Sequence, residues 1–104
     1  MLYKKADMVY HDYIWRAKQD IDDPNFRNHQ ESAELNRREG YEMLYFINYF
    51  AFRFHWKNVE KQTFQTIEKI IREEVPSTLR SHKNIIEWLE ENKKAWLLLE
   101  GLRN

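Results

Sequence analysis

"YEMLYFINYFAFRFHW", residues 41–56, contains half of the aromatic side chains of a 104-residue chain. Three readings compete for a segment so rich in apolar surface: a membrane span, a helix buried on most sides, or a helix that shows rings to a partner. A span needs about 20 predominantly apolar residues. Here Glu42 lies at one end, Arg53, His55 and Lys57 at the other, and Asn48 in the middle. Membrane insertion is therefore not expected. At about 100° per residue, Glu42, Phe46, Tyr49, Arg53 and Lys57 share one mixed aromatic and charged face, with Met43, Ile47, Phe50 and Phe54 beyond it. Arg37, Asn48 and His55 fall along another line, beside Leu44 and Tyr41. The pattern is that of a central helix that touches neighbours on several sides and meets solvent or a partner through Phe46, Tyr49, Arg53 and Lys57. The plainer reading, that rings at helical spacing fill a core, applies to the segment as a whole.

Outward from this segment the pattern predicts three more helices. Residues 2–20 place Leu2, Ala6, Val9, Tyr10, Tyr13, Ile14 and Ala17 on one stripe that continues to Ile21, with the three-and-four spacing of an amphipathic helix. The stretch "DIDDPNFRNHQES", residues 20–32, loses that period, and Asn28 followed by Glu31 offers N-cap chemistry. The second helix is expected over about residues 30–56, through Gly40, a residue whose presence in a helix suggests close packing or a slight bend. Asn58 offers a cap for a third helix, in which Val59, Thr63, Phe64, Ile67, Ile70, Ile71 and Val75 form one face. Lys61, Gln65, Lys69 and Arg72 form the other, and Pro76 ends the helix. Ser77 or Ser81 starts the fourth, with Ile85, Leu89, Trp96 and Leu99 inward, Trp88 at the border, and Glu87, Glu90, Glu91 and Lys94 toward water. The expected fold is all-α: a single domain over residues 1–104, four helices in an up-and-down bundle with a largely buried aromatic second helix.

Composition supports that class and narrows function. Two glycines and two prolines leave little turn chemistry for a hairpin-rich β protein. Seventeen basic residues balance seventeen acidic ones, so no global field draws the chain to nucleic acid or anionic lipid. There is no cysteine, hence no disulfide or thiolate chemistry. Asp7, His11 and Asp12 interrupt the apolar residues behind the early lysines, so a signal peptide is not expected and a cytoplasmic location is.

Few residues are arranged for chemistry. Arg37, Asn48 and His55 are polar groups along a largely apolar face, which implies either an interhelical hydrogen-bond network or a ligand site. No serine or cysteine shares that line, so catalytic residues are not assigned. Residues three before His11, His29, His55 and His82 are Met8, Phe26, Phe52 and Leu79, which rules out the Glu-x-x-His pairs of di-iron bundles. A twelve-residue calcium loop counted from Asp20 through Asp22 to Glu31 fails at Pro24 and Asn25. No metal and no cofactor are expected.

Two surfaces remain. Residues 67–92, "IEKIIREEVPSTLRSHKNIIEWLEEN", resemble a helix, a turn and a second helix, so Lys61, Arg72, Arg80, His82 and Lys83 are candidate nucleic-acid contacts. Glu73, Glu74, Glu87, Glu90 and Glu91 oppose that reading. Met8 and Trp15 lie opposite the stripe of the first predicted helix, and Leu97 and Leu98 lie off the inward stripe of the last, which suggests an oligomer contact. The leading expectation is a non-enzymatic, homodimeric helical protein that binds another protein, as an adaptor or inhibitor would. A small DNA- or RNA-binding protein is the alternative, and a small-molecule-binding or enzymatic bundle comes third.

Overall fold

A computed structural model of the chain describes residues 3–16, 32–53 and 60–92. Among these the elements are a short 3-10 turn, Lys5–Asp7, and three α-helices: α1, Gly40–Arg53; α2, Lys61–Glu73; and α3, His82–Glu91. The four-helix bundle expected from the sequence is not the observed fold. The helix predicted over residues 2–20 is the element at fault. Residues 3–16 instead run as an irregular, largely extended segment whose buried apolar side chains are Tyr3, Met8 and Tyr13. These recur every five residues, a spacing no helix presents on one face. Ile14, assigned to the inward stripe, is 48% exposed.

Two features explain the loss of that helix. Val9, Tyr10, Tyr13, Ile14 and Trp15 are β-branched or aromatic, and such side chains lose rotamer freedom against a preceding helical turn. The backbone of the segment also has better partners elsewhere. Ile14 donates its N–H to the Arg38 carbonyl at 2.8 Å and accepts from the Gly40 N–H at 2.7 Å, a parallel bridge. Tertiary pairing outweighs weak local propensity.

The next helix starts ten residues later than expected because Glu39 caps it. Its carboxylate Oε2 accepts from the N–H groups of Tyr41 at 2.7 Å and Glu42 at 3.2 Å, two of the donors a helix N-terminus leaves without partners. Residues 33–35 are extended and pair with residues 80–82: Leu35 donates to the Arg80 carbonyl and His82 to that of Ala33, both within 2.9 Å. From Gly40 onward α1 is buried along most of its length, with Met43, Phe46 and Ile47 fully enclosed. Gly40 is glycine because the Trp15 indole lies on it; a Cβ there would meet the ring at 2.5 Å.

Over the described residues the inner faces of the other two helices follow the sequence pattern, although the N-cap of α2 is Glu60 rather than Asn58, and Trp96 and Leu99 lie outside the described residues. In α2, Phe64, Ile67, Ile70 and Ile71 are buried, Val75 is buried just beyond, and Pro76 follows the end. The guanidinium of Arg37 closes that end, donating to the carbonyls of Ile71, Val75, Pro76 and Leu79 at 2.7 to 3.1 Å. Ser81 is the N-cap of α3, its hydroxyl accepting from the Asn84 N–H at 3.1 Å. Ile85 and Leu89 face inward, Trp88 is half-buried, and Glu87, Glu90 and Glu91 are exposed. The buried side chains of the N-terminal segment and of all three helices join in one hydrophobic cluster. No described helix is long and apolar enough to cross a membrane.

Candidate interaction surface

The N-terminal segment is fastened by one row of polar side chains on α2. Lys61, Gln65, Glu68 and Arg72 follow one another at intervals of four, three and four residues, which stacks them along one face of a helix. Each of them meets residues 3–16. Lys61 Nζ lies 3.5 Å from Asp7 Oδ1, and Gln65 donates to the Asp7 carbonyl at 2.9 Å. Arg72 makes two bonds to the Asp12 carboxylate at 3.0 and 2.8 Å. Asp12 also takes a bond from Arg38 at 2.9 Å.

Glu68 is the centre of the row. It is fully buried, and its two oxygens accept from the Tyr3 hydroxyl at 2.5 Å, the Tyr13 hydroxyl at 2.7 Å, the Val9 N–H at 3.0 Å and the Tyr10 N–H at 3.4 Å. A buried carboxylate is tolerated only when donors surround it, and here four do. Burial, reinforced by the Glu68 bonds, holds the ionisation of the Tyr3 and Tyr13 hydroxyls well above that of an ordinary phenol. Tyr10 is shifted the same way by burial and by its hydroxyl bond to Glu73. The hydrogen bonds from Arg72 hold Asp12 below the usual carboxylate range. A second clamp comes from α1: Asn48 accepts from the Tyr3 N–H at 2.8 Å and donates to the Tyr3 carbonyl at 3.1 Å.

Rings and cations meet along this segment. The Tyr13 and Trp15 rings meet edge to face at 5.8 Å, and Trp15 meets Tyr41 at 5.0 Å in nearly perpendicular planes. The Lys5 ammonium sits 4.3 Å from the Trp15 ring centre and 5.9 Å from that of Tyr41, while the Arg72 guanidinium covers Tyr10 at 4.3 Å and Tyr13 at 5.0 Å. Distances of this order are those of attractive cation–ring contacts. Trp15, Tyr10 and Tyr41 are half-buried, and Ile14 lies exposed beside them.

The residues proposed from sequence are distributed differently from expectation. Of the face assigned to a partner, Phe46 is fully buried and Tyr49 is 8% exposed, so the core and not the surface holds both; Arg53 is exposed, and Lys57 lies outside the described residues. The rings of Phe46 and His82 meet at 5.0 Å, which places His82 in the interior rather than on a nucleic-acid face. Arg72 and Lys61 are engaged by Asp12 and Asp7, leaving Arg80 and Lys83 exposed near the start of α3. Of the seam of Arg37, Asn48 and His55, Arg37 closes α2 and Asn48 holds Tyr3, so these two serve separate contacts, and His55 lies outside the described residues. Of the oligomer contacts, Met8 is buried, Trp15 covers Gly40, and Leu97 and Leu98 lie outside the described residues.

The sequence pattern does not single out Glu68, Glu39 or Lys5, although it carries a signal for the first. Glu68 lies four residues after Phe64 and three before Ile71, so it occupies the apolar face of its helix. A carboxylate at such a position needs donors from another segment. Among the described residues no three His, Asp or Glu side chains gather where they would hold a metal ion. No family model, no curated protein and no solved structure matches this chain.

Proposed function

We propose that the chain is a non-catalytic protein-binding module of adaptor or inhibitor type that also associates with itself. The observation that carries this reading is the half-buried pair of Trp15 and Tyr41 under the exposed Lys5, rings already held by the fold, with Ile14 exposed next to Trp15 in sequence. Tryptophan, tyrosine and cationic side chains fixed in place have the composition of interface hot spots, because little rotamer freedom is left to lose on binding. Lys4 and Arg16 are exposed next to these residues in sequence, so the preferred partner surface is apolar with an acidic rim.

The nucleic-acid reading draws less support, since two of its five positions are committed to aspartates and His82 is interior. The test is affinity capture from the native cell with wild type and with Ile14→Asp, followed by titration of the purified partner at several salt concentrations. The proposal expects a protein partner that the substitution weakens by at least roughly tenfold, the scale of a hot-spot residue. Unchanged affinity, or oligonucleotide binding with a steep salt dependence, contradicts it.

A further inference from the structure

The row of polar side chains on α2 treats residues 3–16 as a bound peptide. Three of the side chains that hold the segment, Asn48, Gln65 and Glu68, bond to its main chain, at Tyr3 N and O, Asp7 O, Val9 N and Tyr10 N. Main-chain recognition combined with pockets for alternate side chains is how folded domains hold extended peptides. Here the pockets take Tyr3, stacked on Phe64 with ring centres 5.2 Å apart, and Tyr13, whose hydroxyl reaches Glu68. Within itself the segment has one 3-10 turn, so its conformation is supplied by the surface it lies on.

From this we infer that the site along α2 also accepts the N-terminal segment of a second copy, so that two chains associate by exchanging residues 3–16. The inference deepens the self-association in the function proposed above and rests on it. The occupant is set by chemistry on both sides. Glu68 and Asn48, buried as they are, need the main-chain groups and hydroxyls that this segment presents, and a second copy presents the same set. Its Asp7 and Asp12 also match Lys61 and Arg72 in order and charge. Reach is sufficient. Residues 17–31, which lie outside the described residues, separate the segment from the rest of the chain, a contour length of up to roughly 50 Å. An exchanged contact is identical to the one within a chain, which makes exchange a low-cost route to a symmetric dimer.

The absence of cysteine permits a direct test with the full chain. Asp7→Cys in one preparation and Lys61→Cys in another place a single thiol on each side of the docked contact, at half-buried and exposed positions that leave Glu68 and the core untouched. The two are unfolded together, refolded as a mixture and treated with a short thiol-reactive cross-linker, with Asp7→Cys plus Lys83→Cys as the control pair. Wild type refolded alone is weighed by light scattering. Exchange predicts a species of twice the 13.0 kDa chain mass and a covalent heterodimer several-fold above the control pair. A dimer mass with cross-linking no higher than the control overturns exchange and leaves self-association through the Trp15 and Tyr41 rings. A monomer at high protein concentration after refolding overturns both, while partner capture through Ile14 is read separately.

Discussion

Helix α2 and the N-terminal segment lie side by side and carry similar amphipathic patterns, yet one is a helix and the other is not. In α2 the apolar residues Phe64, Ile67, Ile70 and Ile71 satisfy the helical period and the core at once. The N-terminal segment has an equally helical spacing in its sequence, but its side chains are satisfied by tertiary contacts that a helix would not make. Tyr3, Met8 and Tyr13 enter the core five residues apart, and the N–H groups of Val9 and Ile14 donate to Glu68 and Arg38. The contrast teaches that periodicity specifies a helix only when no buried polar group elsewhere competes for the same backbone. Glu68 is that competitor.

The sharpest way to break the contrast is to remove Glu68. In Glu68→Leu the hydroxyl of Tyr13 and the N–H of Val9 lose their acceptor inside the fold, and the hydroxyl of Tyr3 loses its shorter bond. At 1–3 kcal/mol for each buried group left without a partner, urea unfolding is expected to show a loss of about 4 kcal/mol. Glu68→Gln keeps one acceptor and is expected to lose about half as much. A change below about 1 kcal/mol in the leucine variant means that the segment is held by apolar packing alone.

Gly40→Ala sharpens the same contrast from the other strand of contacts. Its Cβ would lie 2.5 Å from the Trp15 indole, so the ring or the helix has to move. Overpacking of this kind costs about 2 kcal/mol in denaturant unfolding. In a Trp15→Ala background the sign reverses, because alanine is intrinsically the better helix former by up to about 1 kcal/mol.

Alkaline titration gives a graded effect. The folded ionisation of Tyr3 and Tyr13 is raised above the unfolded value of 10.0, so their contribution is complete below pH 10 and is lost as pH rises from there toward the folded values. Each group adds a slope of about 1.4 kcal/mol per pH unit over that window. Stability measured by urea unfolding from pH 8 to pH 11 is expected to be level and then to fall. Tyr13→Phe removes part of the fall, and an equal fall in that variant contradicts the assignment.

The smallest effect belongs to Asp12, an exposed residue of the same segment. Because its folded ionisation is depressed by Arg72, its contribution is present above the unfolded carboxylate range and disappears as pH falls through the lower folded value. Wild type and Asp12→Asn are therefore expected to differ slightly at neutral pH and to converge in acid, as followed by thermal unfolding at moderate salt.

These differences also mark what the sequence made legible. The inner faces of α2 and α3 and the Pro76 stop are legible because each depends on residues within one or two turns, and of the two caps the sequence offers, Ser77 and Ser81, the structure uses Ser81. The start of α1 is not legible, since Glu39 competes with an earlier N-cap signal at Asn28 and wins through bonds to Tyr41 and Glu42, and through Arg16, whose N–H reaches it at 2.5 Å. The face of Phe46 and Tyr49 is buried although its pattern suggests a partner surface, because a helical wheel does not show how many neighbours cover it. Lys61, Gln65 and Arg72 looked like a solvated face for a related reason. The segment that covers them is far away in sequence, and its own pattern suggested a helix.

Native-state hydrogen exchange tests the central claim, that residues 3–16 belong to the core through Glu68 and the Ile14 bridge. The amides to follow are those of Val9, which donates to Glu68 at 3.0 Å, and Ile14, which donates to Arg38 at 2.8 Å. They are compared with Ile67 and Ile71, buried in the middle and last turn of α2. The expected result is protection of Val9 and Ile14 approaching that of the α2 amides, with Glu68→Gln lowering protection at Val9 before it affects Ile71. Exchange of Val9 and Ile14 at the rate of an unstructured peptide, while α2 stays protected, contradicts the account.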